Sequence, residues 1–559
     1  MVSPPIPSAL DARTQAFPDL TPAQIDRIQS YGHVRSVPAG EILFEPNSTS
    51  IPFFVVLSGE MEIVQPTLDG QRLIAKHTPG HFTGEITMIS GQRSLVRARM
   101  TESGDVLQVD PEAFRTLVAK DAELSEILMR AFILRRLELV NRGYGVLILM
   151  GSRHSAQTLE LREFLARNSH PYTYVDLDTD RSAQALLDRF HVQASEIPVV
   201  ICNAGQVLRN PTIPKLANCL GFNANIDQTH LRDVIIVGAG PAGLAAAVYA
   251  ASEGLDALVI ETHAPGGQAG SSSKIENYLG FPTGISGQEL AARAATQAQK
   301  FGASMMIARN VERLNCDKRP YEVYLEGGEV LKTRTIVIAT GAQYKKPQLA
   351  NLAKFEGEGI YYGATYIEAQ LCQGEELAVV GGANSAGQAA VYLSQSARKV
   401  HMLVRSSELS STMSRYLIQR LTENPNIDIH YNTEIVALEG DGHLARVSWR
   451  NRTTGEVCTH DIPHVFIMTG ASPRTEWLRG CVAMDERGFI ITGRDIDLHD
   501  MSDGRPPWTL ARTPQMLETS LPGVFAVGDV RAGNVKRVAS AVGEGAISIS
   551  LVHRAMAEL

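Results

Sequence analysis

Cysteine is scarce and scattered in this chain. Six residues, at 202, 219, 316, 372, 458 and 481, serve 559 positions, and no two stand in a C-x-x-C or at a metal-ligand spacing. That excludes a zinc ribbon and an adjacent redox dithiol, and it fits a reducing compartment, so a cytoplasmic location with no metal is expected. Basic residues are not in excess: 52 Lys and Arg against 60 Asp and Glu leave a net charge of −8, which argues against a nucleic-acid surface. No long uninterrupted apolar run exists. The longest, Val234–Ala251, is broken by three glycines and a proline, so no membrane span is expected. The start, MVSPPIPSALDART, has neither the basic opening nor the apolar stretch of a signal peptide.

What is present divides the chain. Its length suits about three or four domains, and 44% hydrophobic residues fill ordinary cores. Residues 34–110 hold short apolar runs split by Gly, Pro and Asn, the pattern of an all-β unit, and residues 121–140 place apolar positions at helical spacing behind it. An α/β unit follows from about 146 to 219. The expected domains are 1–142, a β-roll with its helix; 143–226, a small α/β unit; 231–348 with 480–559, a first nucleotide fold; and 349–479, a second inserted in it.

The first nucleotide signal is Val234–Gly243, VIIVGAGPAG, a strand feeding Gly238-x-Gly240-x-x-Gly243 and then a helix. The first glycine permits the turn, the second lets backbone approach a pyrophosphate, and the third lets helix pack on strand. A second strand, ALVIE, ends in Glu261, 23 residues after Gly238, where a carboxylate accepts from a ribose diol. The second signal, AVVGGANSAG, repeats the plan with Gly381, Asn384, Ser385 and Ala386, and its second strand ends in Arg405, 24 residues after Gly381. A base in place of the acid suits a 2′-phosphate and favours NADPH over NADH. Ala383 stands where the middle glycine is usual, so its methyl is expected to crowd a pyrophosphate.

Together with the loop GGQ at 266–268, IENYLGFP at 275–282, ATGA at 339–342, TGASP at 469–473 and PGVFAVGDV at 522–530, these motifs make residues 231–559 resemble the low-molecular-weight thioredoxin reductases of the pyridine nucleotide-disulfide oxidoreductase class. The resemblance implies two Rossmann-like domains and a homodimer. It also implies FAD on Gly238, Gly240, Gly243, Glu261, Gly267, Gln268, Asn277, Thr340, Gly341, Gly528 and Asp529, with the helix that begins near Val538 aimed at the flavin pyrimidine.

The departures carry equal weight. The reductases place a C-x-x-C in a segment where this chain reads Tyr362-Gly363-Ala364-Thr365-Tyr366-Ile367, so Gly363 and Tyr366 replace both thiols. Neither can relay electrons by disulfide exchange. Tyr366, as a ring to stack on flavin, and Cys372, as a thiol six residues on from Tyr366, are the candidates for a catalytic role. Arg405 is followed by Ser406 where a second arginine is usual. An extra stretch, residues 492–514, reads as a surface loop, and its Trp508 is a candidate cover for the cofactor.

The middle unit, VLILMGS through IPVVICNAGQVLRNP, resembles a thioredoxin- or glutaredoxin-like fold with Ile197-Pro198 as its cis-proline, yet it carries Ser152-Arg153-His154-Ser155 in place of the thiols. Docking or structure is its expected role, with Cys202 and Cys219 packed inside. The amino-terminal unit resembles a cyclic-nucleotide-binding domain: Gly84-Glu85 followed by Arg93-Ser94 is similar to its phosphate-binding cassette, in which Glu85 would take the ribose hydroxyl and Arg93 the cyclic phosphate.

The expected fold class is thus α/β, two Rossmann-like domains preceded by a β-roll and a thioredoxin-like unit. The expected activity is an FAD-dependent NAD(P)H oxidoreductase that passes electrons to an acceptor (a one-electron carrier, a quinone or oxygen) without an internal dithiol, with a cyclic nucleotide as regulator. Two alternatives stand beside it: a cyclic-nucleotide sensor whose flavin fold is a low-turnover binding module, and a protein disulfide reductase using Cys372 or a partner's thiols.

Overall fold

The computed structural model describes residues 14–559 except 47, 49–50, 68–69, 85–87, 89–92, 142–146, 181–192, 194–195, 203–205, 224–225, 228 and 500–503. The chain forms two compact units, one of residues 1–152, 168–227 and 296–308, the other of residues 153–167, 228–295 and 309–559.

The first unit opens with a β-roll. His33–Val37, Gly104–Val109 and Phe53–Val56 make one antiparallel sheet, and Ile42–Phe44, Arg97–Glu102, Glu60–Thr67 and Gly70–His77 make another. The strand Phe53–Val56 is buried on both faces because side chains alternate along it. Phe53 and Val55 join a core with Phe82, which bridges to Val55, and with Phe114, Leu128 and Phe132 from the helices behind, while Phe54 and Val56 join Met61, Ala98 and Met100 inside the roll. The helices Pro111–Lys120 and Ala122–Asn141 break at Asp121, whose carboxylate caps the second by accepting the Leu124 amide at 3.0 Å.

The same unit holds a four-stranded sheet ordered Val207–Arg209, Val199–Ile201, Leu147–Gly151, Tyr172–Asp176, in which only the last pair is parallel. The Ile197–Pro198 peptide is cis, as expected. The cysteine reading needs correction here. Cys202 is buried, but it is bonded to Cys219, on the helix Ile213–Leu220, with the two Cα atoms 6.8 Å apart. In the second unit Cys316 is bonded to Cys481, 165 residues on. Such pairs carry no local spacing, so the sequence reads them as isolated thiols.

The second unit holds both nucleotide folds. Leu231–Val237 lies parallel between Ala257–Glu261 and Val330–Ile338, and Val524–Ala526 adds to Val330–Ile338 in parallel. The chain therefore leaves the first fold and rejoins its sheet nearly two hundred residues later. The buried stretches of these strands, residues 234–237, 257–260, 336–338 and 524–526, are apolar because both faces are covered. The second fold is a parallel sheet ordered Ile360–Tyr361, His464–Ile467, Glu376–Val380, Lys399–Leu403, Ile427–His430. A two-stranded antiparallel link, Ala342–Tyr344 with Ala471–Pro473, marks where the chain passes between the folds.

One helix from the middle segment belongs to this unit. Ala156–Arg167 sets Leu159 against the core of the second fold, and its first amide, on Ala156, donates to Glu358 at 3.1 Å. At its other end Arg167 donates to the Gly267 carbonyl at 2.9 Å, Gln288 donates to the Ala166 carbonyl at 2.6 Å, and Phe164 meets the His263 ring edge-on. Among the described residues, no helix is long and apolar enough to cross a membrane.

Candidate nucleotide and electron-transfer sites

The glycines of the first loop are demanded by backbone. Gly238 has φ +105°, and a Cβ there would lie 2.4 Å from the Ala339 carbonyl oxygen; a Cβ on Gly243 would lie 1.9 Å from the Gly238 oxygen. Gly240 differs, since its nearest neighbour to a Cβ is the Gly267 Cα at 3.9 Å. Open space over the start of the helix Pro241–Ser252, which has no side-chain cap, is the cradle a pyrophosphate requires. Glu261 is buried and already organised: its Oε2 accepts the Ala239 amide at 2.8 Å and its Oε1 the His263 amide at 2.9 Å. The remaining lone pairs suit a ribose diol.

Other predicted contacts gather around this loop. Gln268 donates to the Ala342 carbonyl, and Thr340 donates to the Arg474 carbonyl at 3.0 Å beside Gly341, whose positive φ opens onto free space. Asn277 is exposed. Gly528 donates its amide to Glu544 at 2.7 Å, and burial lifts the Asp529 carboxyl above its usual range, with Lys536 opposing and Glu544 adding repulsion. The helix Val538–Glu558 starts without a side-chain cap, so its first amides are open to an anionic ring. Glycines, acid and uncapped helix together fit FAD.

In the second fold, Gly381 has φ +151° and a Cβ there would meet the Met468 carbonyl oxygen at 2.6 Å. Ala383 is exposed at the uncapped start of the helix Asn384–Leu393, so its methyl presses on no protein atom needed for the turn. Asn384 accepts the Ser414 amide at 2.8 Å, and Ala386 is buried. Ser385 pairs with the Tyr344 hydroxyl, which burial holds above the usual tyrosine range and which also feels Asp529. Arg405 is exposed at the strand end, and Arg452 donates to its carbonyl at 3.3 Å. The second base that Ser406 does not supply thus comes from 47 residues away. These residues fit a phosphorylated nicotinamide coenzyme. Tyr344 and Arg452 were not read from the sequence, because only long-range pairing reveals them.

Between the folds, a Cβ on Gly363 would lie 3.7 Å from the Ser271 side chain, just past the GGQ loop. Tyr366 opens a helix capped by a Thr365–Glu368 box and is 69% exposed, its hydroxyl accepting from Gln370 at 2.8 Å. A packing role for that ring is therefore set aside. Cys372 is fully buried in the core of the second fold, and burial, with Glu368 and Glu375 nearby, pushes its thiol far above the usual range. It has no thiolate to offer at neutral pH.

Trp508 does not cover the flavin site. It donates to the Arg512 carbonyl in its own loop, and Arg512 pairs with buried Glu518 and with Glu558, at the opposite end of the helix from Val538. Such a helix of 21 residues runs about 30 Å.

In the β-roll, Gly84 and Ser94 line a hollow of about 780 Å³, mouth included. Glu85 lies outside the described residues. Arg93 is not among the lining residues; its side chain sits against Gly221, where a Cβ would fall 2.4 Å from Nε.

Residues 232–545 match the pyridine nucleotide-disulphide oxidoreductase family and residues 34–121 the cyclic nucleotide-binding domain. The chain is 34% identical over 325 residues to the NADPH-dependent thioredoxin reductase 3 of Arabidopsis thaliana, a match covering 57% of each chain. It is 32% identical over 335 residues to the thioredoxin reductase of Bacillus subtilis, covering 60% of this chain and 98% of that one. The fold also superposes on the Lactococcus lactis thioredoxin reductase with a TM-score of 0.52 at 29% identity, over 59% of this chain and all of that one. With both nucleotide folds in place and the match spanning them, the chain belongs to the pyridine nucleotide-disulphide oxidoreductase family, as a thioredoxin-reductase-like flavoprotein oxidoreductase with a cyclic nucleotide-binding domain ahead of it.

Proposed function

We propose that the protein is an FAD-dependent NAD(P)H oxidoreductase that hands electrons to an external acceptor without an internal dithiol. The observation that carries this reading is Gly363 beside Ser271, with Tyr366 three residues on and 69% exposed, so that neither position of the usual dithiol carries sulfur. When bound, FAD supplies two-electron uptake from a nicotinamide and release in steps of one or two electrons. The chain's own residues supply the rest. Glu261 and the glycine loop hold the adenosine end, and the open amides before Val538 favour negative charge on the ring. Arg405 and Arg452 select a 2′-phosphate by charge, which favours NADPH over NADH. Tyr344 ties the start of the second fold to the end of the first through Ser385.

The acceptor is a small oxidant or a one-electron carrier that reaches the flavin face beside Tyr366. A protein disulfide is the second reading, favoured by the names of the relatives. Anaerobic mixing with NADPH, and separately NADH, should bleach the flavin near 450 nm, with NADPH faster. Steady-state turnover should then appear with ferricyanide or a quinone and stay absent with oxidised thioredoxin. A flavin that NADPH cannot bleach would refute the reading and leave a binding module. Thioredoxin reduction that survives in Cys372→Ala would instead point to a partner's thiols.

The segment Leu147–Leu220 we read as a thioredoxin-like module without redox thiols at its usual position. The strand order and the cis Ile197–Pro198 support this.

A further inference from the structure

The hollow in the β-roll is apolar to a degree that a nucleotide does not need. Ten of its fifteen lining residues are apolar, among them Phe17, Phe44, Ile63, Leu73, Met88 and Leu139. Of the polar groups expected for a cyclic phosphate, the two side chains among the described residues, Arg93 and Ser94, are turned elsewhere. Arg93 lies against Gly221, and the Ser94 hydroxyl closes on its own turn, donating to the Val96 carbonyl at 2.8 Å and accepting the Val96 amide at 3.2 Å. Arg135, at the wall, spends its donors on the carbonyls of Ala16, Phe82 and Gly84 and lies over the Phe17 and Phe82 rings. Among the described residues, a phosphate anion placed in such surroundings would lose its hydration without gaining charge-assisted bonds.

One wall residue asks for a partner. His77 is 2% exposed, lines the hollow, and its Nδ1 has no hydrogen-bond partner among the described residues. Burial, with Arg135 and His81 adding repulsion, holds this imidazole neutral. A neutral imidazole nitrogen either donates or accepts, and a hydroxyl group satisfies both tautomers.

We propose that this hollow takes a small, largely apolar molecule bearing one hydroxyl group, held through His77, in place of a cyclic nucleotide. The inference is independent of the electron acceptor, since it rests on the β-roll alone.

Equilibrium dialysis of the full-length flavoprotein tests it with three probes: 1-naphthol, cyclic AMP and cyclic GMP. One saturable 1-naphthol site per chain is expected, undisturbed by millimolar cyclic AMP or cyclic GMP. His77→Leu keeps the wall apolar and removes the polar contact, so it should weaken 1-naphthol about tenfold. Arg93→Ala should leave 1-naphthol binding unchanged. Should His77→Leu fail to fold, Leu73→Asp replaces it: Leu73 is 51% exposed at the mouth, so the change spares the core and should also weaken 1-naphthol. Saturable binding of either cyclic nucleotide that Arg93→Ala abolishes would overturn the proposal. So would the absence of a 1-naphthol site, or equal binding by wild type and His77→Leu.

Discussion

In the first nucleotide fold, the acid that ends the second strand is buried and accepts two backbone amides of its own loop, whereas its counterpart in the second fold, Arg405, stands exposed, its carbonyl accepting from Arg452. The loops differ in the same direction. Gly243 is pressed against the Gly238 carbonyl oxygen, which a Cβ would approach to 1.9 Å, while its equivalent in the second loop is Ala386, whose methyl the fold already buries. The first site is thus built in advance by protein–protein bonds and suits a resident group. The second is open and suits a molecule that comes and goes.

The sharpest break of that comparison is a pair of opposite changes at one fingerprint position. Gly243→Ala should cost about 3 kcal/mol or more, since backbone must move, and the protein should purify without flavin absorbance. Ala386→Gly should cost only about 0.5–1 kcal/mol in its helix, fold and keep its flavin, with at most a modest rise in the KM for NADPH. Equal loss in both would erase the distinction.

Next in size is the removal of charge from Glu261. Glu261→Gln replaces charge-assisted bonds by neutral ones, a loss of about 1.5–3 kcal/mol, so the Kd for FAD measured by flavin fluorescence should rise roughly ten- to hundredfold. The NADPH dependence of the remaining holoenzyme should not move.

Acid separates the folds by another route. His464, in the sheet of the second fold, is held by burial, with His154 adding repulsion, at a pKa of about 4. His430 and His460, packed around Trp449, are also lowered, chiefly by burial. Below the ordinary histidine value of about 6.5 the unfolded chain takes protons that the fold refuses, so stability present above that pH is lost as pH falls towards 4. For His464 alone that is about 2 kcal/mol between pH 6.5 and 5. Trp449 emission should therefore report melting before flavin is released at pH 5, and His464→Asn should narrow the gap.

The smallest effect is at the exposed base. Arg405→Ala should raise the KM for NADPH about tenfold and leave NADH nearly unchanged. Adding Arg452→Ala should abolish the preference. A KM that rises equally for both coenzymes would remove Arg405 from the phosphate site.

Much of this was legible in sequence because glycine loops are local. The turn itself sets a positive φ at Gly238 and Gly381 and brings the Gly238 carbonyl onto Gly243, so their spacing alone announces them. The fully apolar run FFVV and the apolar stretches of the parallel strands were equally open to reading. What stayed hidden depends on distant segments meeting. Arg452 reaches Arg405 from 47 residues away, Cys481 reaches Cys316 from 165, and Arg93 is drawn to Gly221 rather than into the hollow where its motif would place it. Trp508 was misplaced for the same reason, since its loop is tethered to Glu558 through Arg512.

The helix Ala156–Arg167 gives the boundaries a practical meaning. It precedes the family match by more than sixty residues, yet its two ends are bonded to opposite nucleotide folds, at Gly267 and at Glu358. A shortened protein that begins at the first glycine fingerprint would keep every recognised motif and still leave the Gly267 carbonyl, the Gln288 amide group and the Leu159 socket bare. The structural unit that carries the two nucleotide folds therefore extends beyond the matched family segment, back to the helix that begins at residue 156.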